Sequence, residues 1–289
     1  MPNDYLYGAN VVLAALLAQR RRLVRAHVQT RAPQLLGRRA PPMRPDMAAI
    51  MDLIQERNVP VRTRDRFELD ELSDGRPHNG IVLEVSPLDI PYLKSLDRPS
   101  QSDSTWPPLW LYLDGIQDPQ NLGAILRTSH FLGVSGVAIA ERGSANPATP
   151  AVSKASAGAL EMMRNVCLVS SGLTLVKEAK KDGWRILGAA KRPAVAGERA
   201  GGEGGSAHAK QTLVLIGNEH KGIRSSLLPL IDEYVWVRPS HAPTASLVHD
   251  PALAVVDEDP VESLNVSVAT AIILSHLLGQ RQSPVVHVE

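Results

Sequence analysis

Three short segments of this 289-residue chain place polar side chains and glycine together in the pattern a ligand site needs. The first runs Asp114-Gly115-Ile116-Gln117-Asp118-Pro119-Gln120-Asn121-Leu122-Gly123-Ala124-Ile125-Leu126-Arg127-Thr128. It falls where an apolar run ends and a helical pattern begins, which is where open α/β sheets bind ligands. Asn121 is placed to cap the helix, and Gly123 permits close backbone approach. Arg127 follows nearly two turns later, so an amide and a fixed cation can lean toward one side. A capping Asn and a solvated Arg would explain the same residues. The second segment, Gly217-Asn218-Glu219-His220-Lys221-Gly222-Ile223, directly follows another apolar run. Gly217 leaves the backbone open to a ligand, and Glu219 projects a carboxylate into the same crevice. An ordinary glycine-rich turn is the plain alternative. The third segment, Ser263-Leu264-Asn265-Val266-Ser267-Val268-Ala269-Thr270-Ala271, opens a helix. Ser263 is a natural N-cap, and Ser263 and Asn265 stand beside free backbone N–H groups. Ser267, Ala269 and Ala271 allow tight packing, and a capped core helix would need no more than this.

The elements that must position these segments follow from periodicity. Asn10–Ala26 reads as an amphipathic helix, with Val11, Leu13, Leu16, Leu17 and Leu23 on its apolar side. A second helix is expected over Met47–Arg57 and a strand over Gly80–Val85, which together make a small α/β unit. Residues 97–108 are polar and proline-rich and read as a linker between a domain at 1–96 and one at 109–289. In the second domain the pattern predicts strands at Leu109–Leu113, Val137–Ala140, Met163–Val169, Arg185–Ala190, Thr212–Ile216 and Tyr234–Val237. Helices are expected near Asn121–Leu132, Leu173–Lys181 and Leu264–Leu278. Such alternation implies a mostly parallel sheet covered by helices on both faces. Residues 193–209 are rich in glycine and alanine and precede a strand rather than a helix, so a surface insertion fits better than a phosphate-cradling loop. Residues 240–259 form a second irregular insertion.

Composition narrows the function classes. The net charge is only +1, but residues 1–46 hold eight Arg and Lys against two Asp and Glu. A basic N-terminal stretch suits an anionic partner such as nucleic acid; a solvated arginine-rich helix face would also account for it. The single cysteine, Cys167, rules out a disulfide framework and a cysteine-based metal site. Its apolar surroundings, Val166-Cys167-Leu168-Val169, mark it as a buried strand residue. No metal-ligand spacing is evident. No apolar run is long enough to span a bilayer, and no secretion signal or organelle presequence is visible at the start. A dinucleotide-binding oxidoreductase lacks its glycine-rich turn here, and a serine hydrolase lacks its Gly-x-Ser-x-Gly elbow.

Order and spacing of the three segments together resemble the three signature motifs of the SpoU branch of knotted RNA methyltransferases. The resemblance runs from about Leu109 to Leu278 and includes the flank Val152-Ser153-Lys154-Ala155-Ser156-Ala157-Gly158-Ala159-Leu160-Glu161. Tyr7-Gly8-Ala9-Asn10-Val11-Val12 and Gly75-Arg76-Pro77-His78-Asn79-Gly80-Ile81-Val82-Leu83-Glu84-Val85 resemble that family's substrate-binding domain, a small α/β unit like ribosomal protein L30e. The nearest subgroup looks like the mitochondrial large-subunit rRNA ribose methyltransferases, which implies a mitochondrial location, a cytoplasmic one being the alternative. The resemblance implies a catalytic domain with a trefoil knot, a homodimer, S-adenosylmethionine as methyl donor and a guanosine ribose of large-subunit rRNA as acceptor. Matched positions give Gly217, Asn218, Val237 and Leu264 to the cofactor. They give Arg127 to the reacting hydroxyl, supported by Asn121, Glu219, Ser263 and Asn265. Arg20, Arg21, Arg22 and Arg25 are the expected RNA contacts.

The chain departs from the family pattern at Val237-Arg238-Pro239, where about twenty atypical residues follow, at His220-Lys221, and at Asn79 in place of the usual Gln. The atypical loop motivates a rival expectation, a catalytically inactive RNA-binding assembly factor on the same scaffold.

Overall fold

The computed structural model describes residues 2–30, 45–96, 107–190, 211–237 and 264–279. The insertions expected at 193–209 and 240–259, most of the 97–108 linker, and Ser263 lie outside these residues.

The N-terminal domain contains β1 (Asp4–Tyr7), α1 (Ala9–Ala18), β2 (Leu23–Gln29), α2 (Pro45–Glu56), β3 (Val61–Arg64), α3 (Arg66–Leu72) and β4 (Ile81–Val85). Its four strands lie in the order β1-β4-β2-β3. β4 runs antiparallel to β1 and β2, and β3 runs parallel to β2. Leu6, Val12, Leu16, Ile50, Ile54, Ile81 and Leu83 form its core.

The first helix is shorter than the expected Asn10–Ala26. α1 stops at Ala18, where Gln19 takes a left-handed conformation and its N–H bonds Ala15 O. Leu23 to Val28 then pair with β4, so their backbone partners are on another strand. Leu23 fits a helical period only by coincidence of spacing; β-sheet pairing across the domain overrides it. Leu17 is half exposed rather than on the buried side.

The C-terminal domain is doubly wound. Its elements are β5 (Leu109–Asp114), α4 (Pro119–Leu132), β6 (Gly136–Ala140), α5 (Pro150–Ala155), α6 (Ala159–Met162), β7 (Val166–Val169), α7 (Gly172–Lys181), β8 (Arg185–Ala189), β9 (Thr212–Gly217), β10 (Glu233–Val235) and α8 (Val266–Gly279). The six strands lie in the order β10-β8-β9-β5-β6-β7, with every pairing parallel. A parallel sheet buried on both faces needs near-continuous apolar strands, and β5, β6 and β9 are buried almost throughout. One face packs Leu122, Ile125 and Leu126 of α4 with Leu274 and Leu278 of α8. The opposite face packs Leu175, Val176 and Ala179 of α7 with Trp184. Cys167 lies buried in β7, where desolvation pushes its thiol up.

The connection between the domains belongs structurally to the second. Leu88 and Ile90 pack into the core on the α4 side, and Leu96 into the one on the α7 side. Pro91 and Leu93 bracket Leu168 of β7 with two backbone hydrogen bonds.

Candidate active site

Because all six strands are parallel, the ends of β5 and β9 open on one edge, paired at Asp114 and Gly217. The two loops leaving them are joined by side chains. Asn218 Nδ2 donates to Gly115 O at 2.8 Å. Asn218 Oδ1 accepts from the N–H groups of His220 and Lys221 at 3.0 and 3.1 Å. The backbones of Asn218 and Gly222 exchange both hydrogen bonds, at 3.0 and 2.8 Å. This tight turn explains Gly217, since a Cβ there would lie 2.3 Å from the Gly222 carbonyl carbon. The side chain of Asn218, expected to hold cofactor, is spent on shaping the turn.

Asp114, the last residue of β5, completes the junction, a role that the three motifs do not predict. Its buried carboxylate accepts from the Arg224 N–H at 3.2 Å, and Arg224 Nε lies 2.9 Å from its other oxygen. Arg224 Nη2 also donates to Arg142 O at 2.8 Å. Burial pushes the Asp114 carboxyl above the usual range, opposed by the hydrogen bond and charge of Arg224. An acid ending an otherwise apolar strand is the signal in the sequence that marks it.

The three segments converge on Asn121. The expected capping role passes to Asp118, whose side chain accepts from Gln120 N, with Pro119 starting the helix. Asn121 therefore sits in the first turn of α4, buried, with its amide free to bridge. Its Nδ2 donates to Glu219 Oε1. Its Oδ1 accepts from Asn265 Nδ2 at 3.0 Å. Asn265 in turn accepts through Oδ1 from Ser267 N at 2.8 Å and Ser267 Oγ at 2.6 Å, and its carbonyl accepts from Ala269 N. Asn265 thus caps α8, the role expected of Ser263.

Other expected residues are placed less closely. Leu264 is 46% exposed beside Asn265. Val237 is half-buried just past β10. Arg127 is exposed on α4 and has no hydrogen bond or ion pair with another described residue. Six residues advance a helix by about one and two-thirds turns and leave the two side chains about 120° apart, so Asn121 faces inward while Arg127 faces out. Within one chain Arg127 therefore does not join the Asn121–Glu219–Asn265 trio.

The expected RNA contacts divide. Arg21 is 5% exposed and engaged with Asp4 and Glu161, so it is no surface cation. Arg20 donates to Leu160 O at 2.8 Å and is half-buried, which lowers its pKa by desolvation. Arg22 is exposed and Arg25 half-exposed. The reason is tertiary: the turn carrying Arg20 and Arg21 lies against α6 of the other domain. Among the described residues no group of three or more His, Cys, Asp or Glu could hold a metal ion, and no helix is long and apolar enough to cross a membrane.

The model of the SpoU rRNA methylase family matches residues 108–256, and that of the RNA 2′-O ribose methyltransferase substrate-binding domain matches residues 5–91. The chain is 32% identical over 284 residues to human mitochondrial rRNA methyltransferase 1, spanning 96% of this chain and 73% of the relative. It is 32% identical over 240 residues to a 23S rRNA (guanosine-2′-O-)-methyltransferase of Pseudomonas putida, spanning 82% of this chain and 85% of that one. Among solved structures, the SpoU methyltransferase AviRb from Streptomyces viridochromogenes, in complex with the cofactor AdoMet, has the same fold, with TM-score 0.65 and 18% identity over 98% of this chain and 92% of that one.

Proposed function

The chain belongs to the SpoU rRNA methylase family, and from that premise we propose that it transfers a methyl group from S-adenosylmethionine to a ribose 2′-oxygen of rRNA, on a guanosine of the mitochondrial large subunit. The observation that carries this reading is the hydrogen-bonded chain Glu219–Asn121–Asn265, which ties together segments 98 and 144 residues apart in sequence. Its relatives in human, Schizosaccharomyces pombe and Saccharomyces cerevisiae are mitochondrial rRNA methyltransferases, which supports the compartment and the substrate.

The residues at the sheet edge fit the donor. Gly217, the segment through Val237, and Leu264 offer backbone groups and apolar surface, which suit a neutral purine and its ribose. When bound, S-adenosylmethionine supplies an electrophilic methyl on a sulfonium. The trio Asn121, Glu219 and Asn265 fixes the three loops around that position, so that the acceptor oxygen can be held in line. The Arg127 guanidinium stabilises by its charge the alkoxide character that develops on the ribose oxygen. The hydroxyl proton passes to a neighbouring phosphate or water as the oxygen gains its methyl group.

Arg127 reaches that position from a second copy of the chain. Phe131 on α4 is 87% exposed one turn beyond Arg127, and Val268 and Ile272 on α8 are 46% and 44% exposed. α4 and α8 pack on each other, and the apolar side chains that both helices expose suit a homodimer.

The test is to incubate purified protein with isotopically labelled S-adenosylmethionine and transcripts of mitochondrial large-subunit rRNA, then map ribose methylation. A single modified guanosine is expected. Calorimetric titration with S-adenosylmethionine separates the enzyme from an inactive assembly factor on this scaffold, which would show no binding.

A further inference from the structure

The two domains meet across a polar seam that the methyl-transfer site does not use. Arg21 lies at its centre, with its side chain and that of Glu161 each 1% exposed. Its Nε and Nη2 donate to the two oxygens of Glu161, both at 2.9 Å, a bidentate fork. Its Nη1 donates to Asp4 Oδ2 at 2.6 Å and to Ser86 O at 3.1 Å. Glu161 also accepts from Ser153 Oγ at 2.7 Å. One arginine thus holds the first strand and the exit of β4 in the N-terminal domain, and α6 in the catalytic domain. Around it Lys154 donates to Pro77 O at 2.9 Å and lies over the Tyr7 ring. Gly158 packs so tightly on α1 that a Cβ would sit 2.6 Å from the Ala14 Cβ.

A seam meant only for stability would use apolar side chains, because burying a charged pair costs about as much as its attraction returns. A bidentate arginine–carboxylate fork adds a defined angle and distance that apolar packing lacks. The connecting segment adds a second anchor through Pro91, Leu93 and Leu168 on β7.

We propose that Arg21 and Glu161 are positioning residues that lock the substrate-binding domain onto the catalytic domain as one rigid body, so that the target ribose is chosen by its fixed separation from the RNA element the N-terminal domain grips. The choice of ribose rests on the methyltransferase reading; the rigid body does not.

The experiment uses the full chain with spin labels at Asp52→Cys and Lys177→Cys, exposed positions on the two domains, in a Cys167→Ala background. The label distance is compared with Arg21→Met/Glu161→Met, which leaves neither charge of the fork alone, and with Arg21→Lys, which restores charge without the fork. A narrow distribution in the parent, a broad one in the double variant and an intermediate one in Arg21→Lys are expected. With rRNA, the double variant should modify riboses next to the target and lose about a hundredfold in kcat/KM, mainly through KM. Binding of S-adenosylmethionine should stay unchanged. A broad distribution in the parent, or a double variant with the parent's narrow distribution, overturns the lock. A loosened variant that still methylates one ribose with the parent's KM overturns its role in selection. Should the double variant fail to fold, Glu161→Gln, which keeps the shape and removes the charge, carries the same comparison. A parent that methylates no rRNA defeats the functional reading and leaves the distance measurement standing.

Discussion

Asn121 shows how a single side chain can matter more inside a helix than at its end. A capping asparagine uses its amide on its own backbone; here Asp118 takes that task, and Asn121 is left to hold Glu219 and Asn265. Asn121→Ala removes both bonds and leaves Glu219 without its amide partner. We expect kcat/KM to fall by about ten- to a hundredfold, with the fold retained by circular dichroism, because a hydrogen bond to a charged group is worth about 1.5–3 kcal/mol. Arg127 acts differently. It has no partner among the described residues, so Arg127→Ala should abolish methylation while sedimentation shows the proposed dimer unchanged. Full activity in that variant would remove it from the mechanism.

At the level of elements, α4 and α8 carry both the site and the surface beside it. Ile272 lies half-exposed on α8, one turn beyond the similarly exposed Val268. Placing a carboxylate there, as in Ile272→Glu, should split the proposed dimer in sedimentation and lower activity, since a buried unpaired charge in an apolar interface is costly. A second element carries a pH response. His27 in β2 is buried, and desolvation holds its pKa below the ordinary histidine range against the opposing pull of Glu84. A depressed folded-state pKa means that the neutral form is the stable one. That stability is present above the unfolded value of about 6.5 and is lost as pH falls through the lower folded value. Thermal unfolding followed between neutral and mildly acidic pH should show a falling midpoint. His27→Gln should flatten that slope.

For the whole molecule, the seam between the domains makes a calorimetric claim. Two domains joined only by a linker melt separately, whereas a buried polar seam couples them. A single unfolding transition is expected for the parent. Arg21→Met leaves Glu161 buried without its partner, a loss of about 3–5 kcal/mol. It should lower the midpoint and separate the transition into two. Two independent transitions in the parent would contradict the coupling.

Most of the catalytic half was readable in order. β5, α4, β6, α7, β8, β9 and α8 fall within a few residues of their expected limits, because a parallel sheet buried on both faces demands unbroken apolar strands separated by helical periods. The segments bearing Asn121, Glu219 and Asn265 were legible too, since glycine and polar residues at strand ends stand out against apolar runs. What was not legible depended on partners distant in sequence. The end of α1 is decided by the pairing of β2 with β4, and sheet pairing leaves no mark in local periodicity. The fate of the arginines is the sharper case. Their charge is plain in the sequence, but whether a guanidinium meets solvent or a carboxylate 140 residues away is set only when the two domains close on each other. Sequence alone determined which residues could do chemistry; tertiary structure decided which of them are free to do it, because burial and partnership are properties of the folded chain.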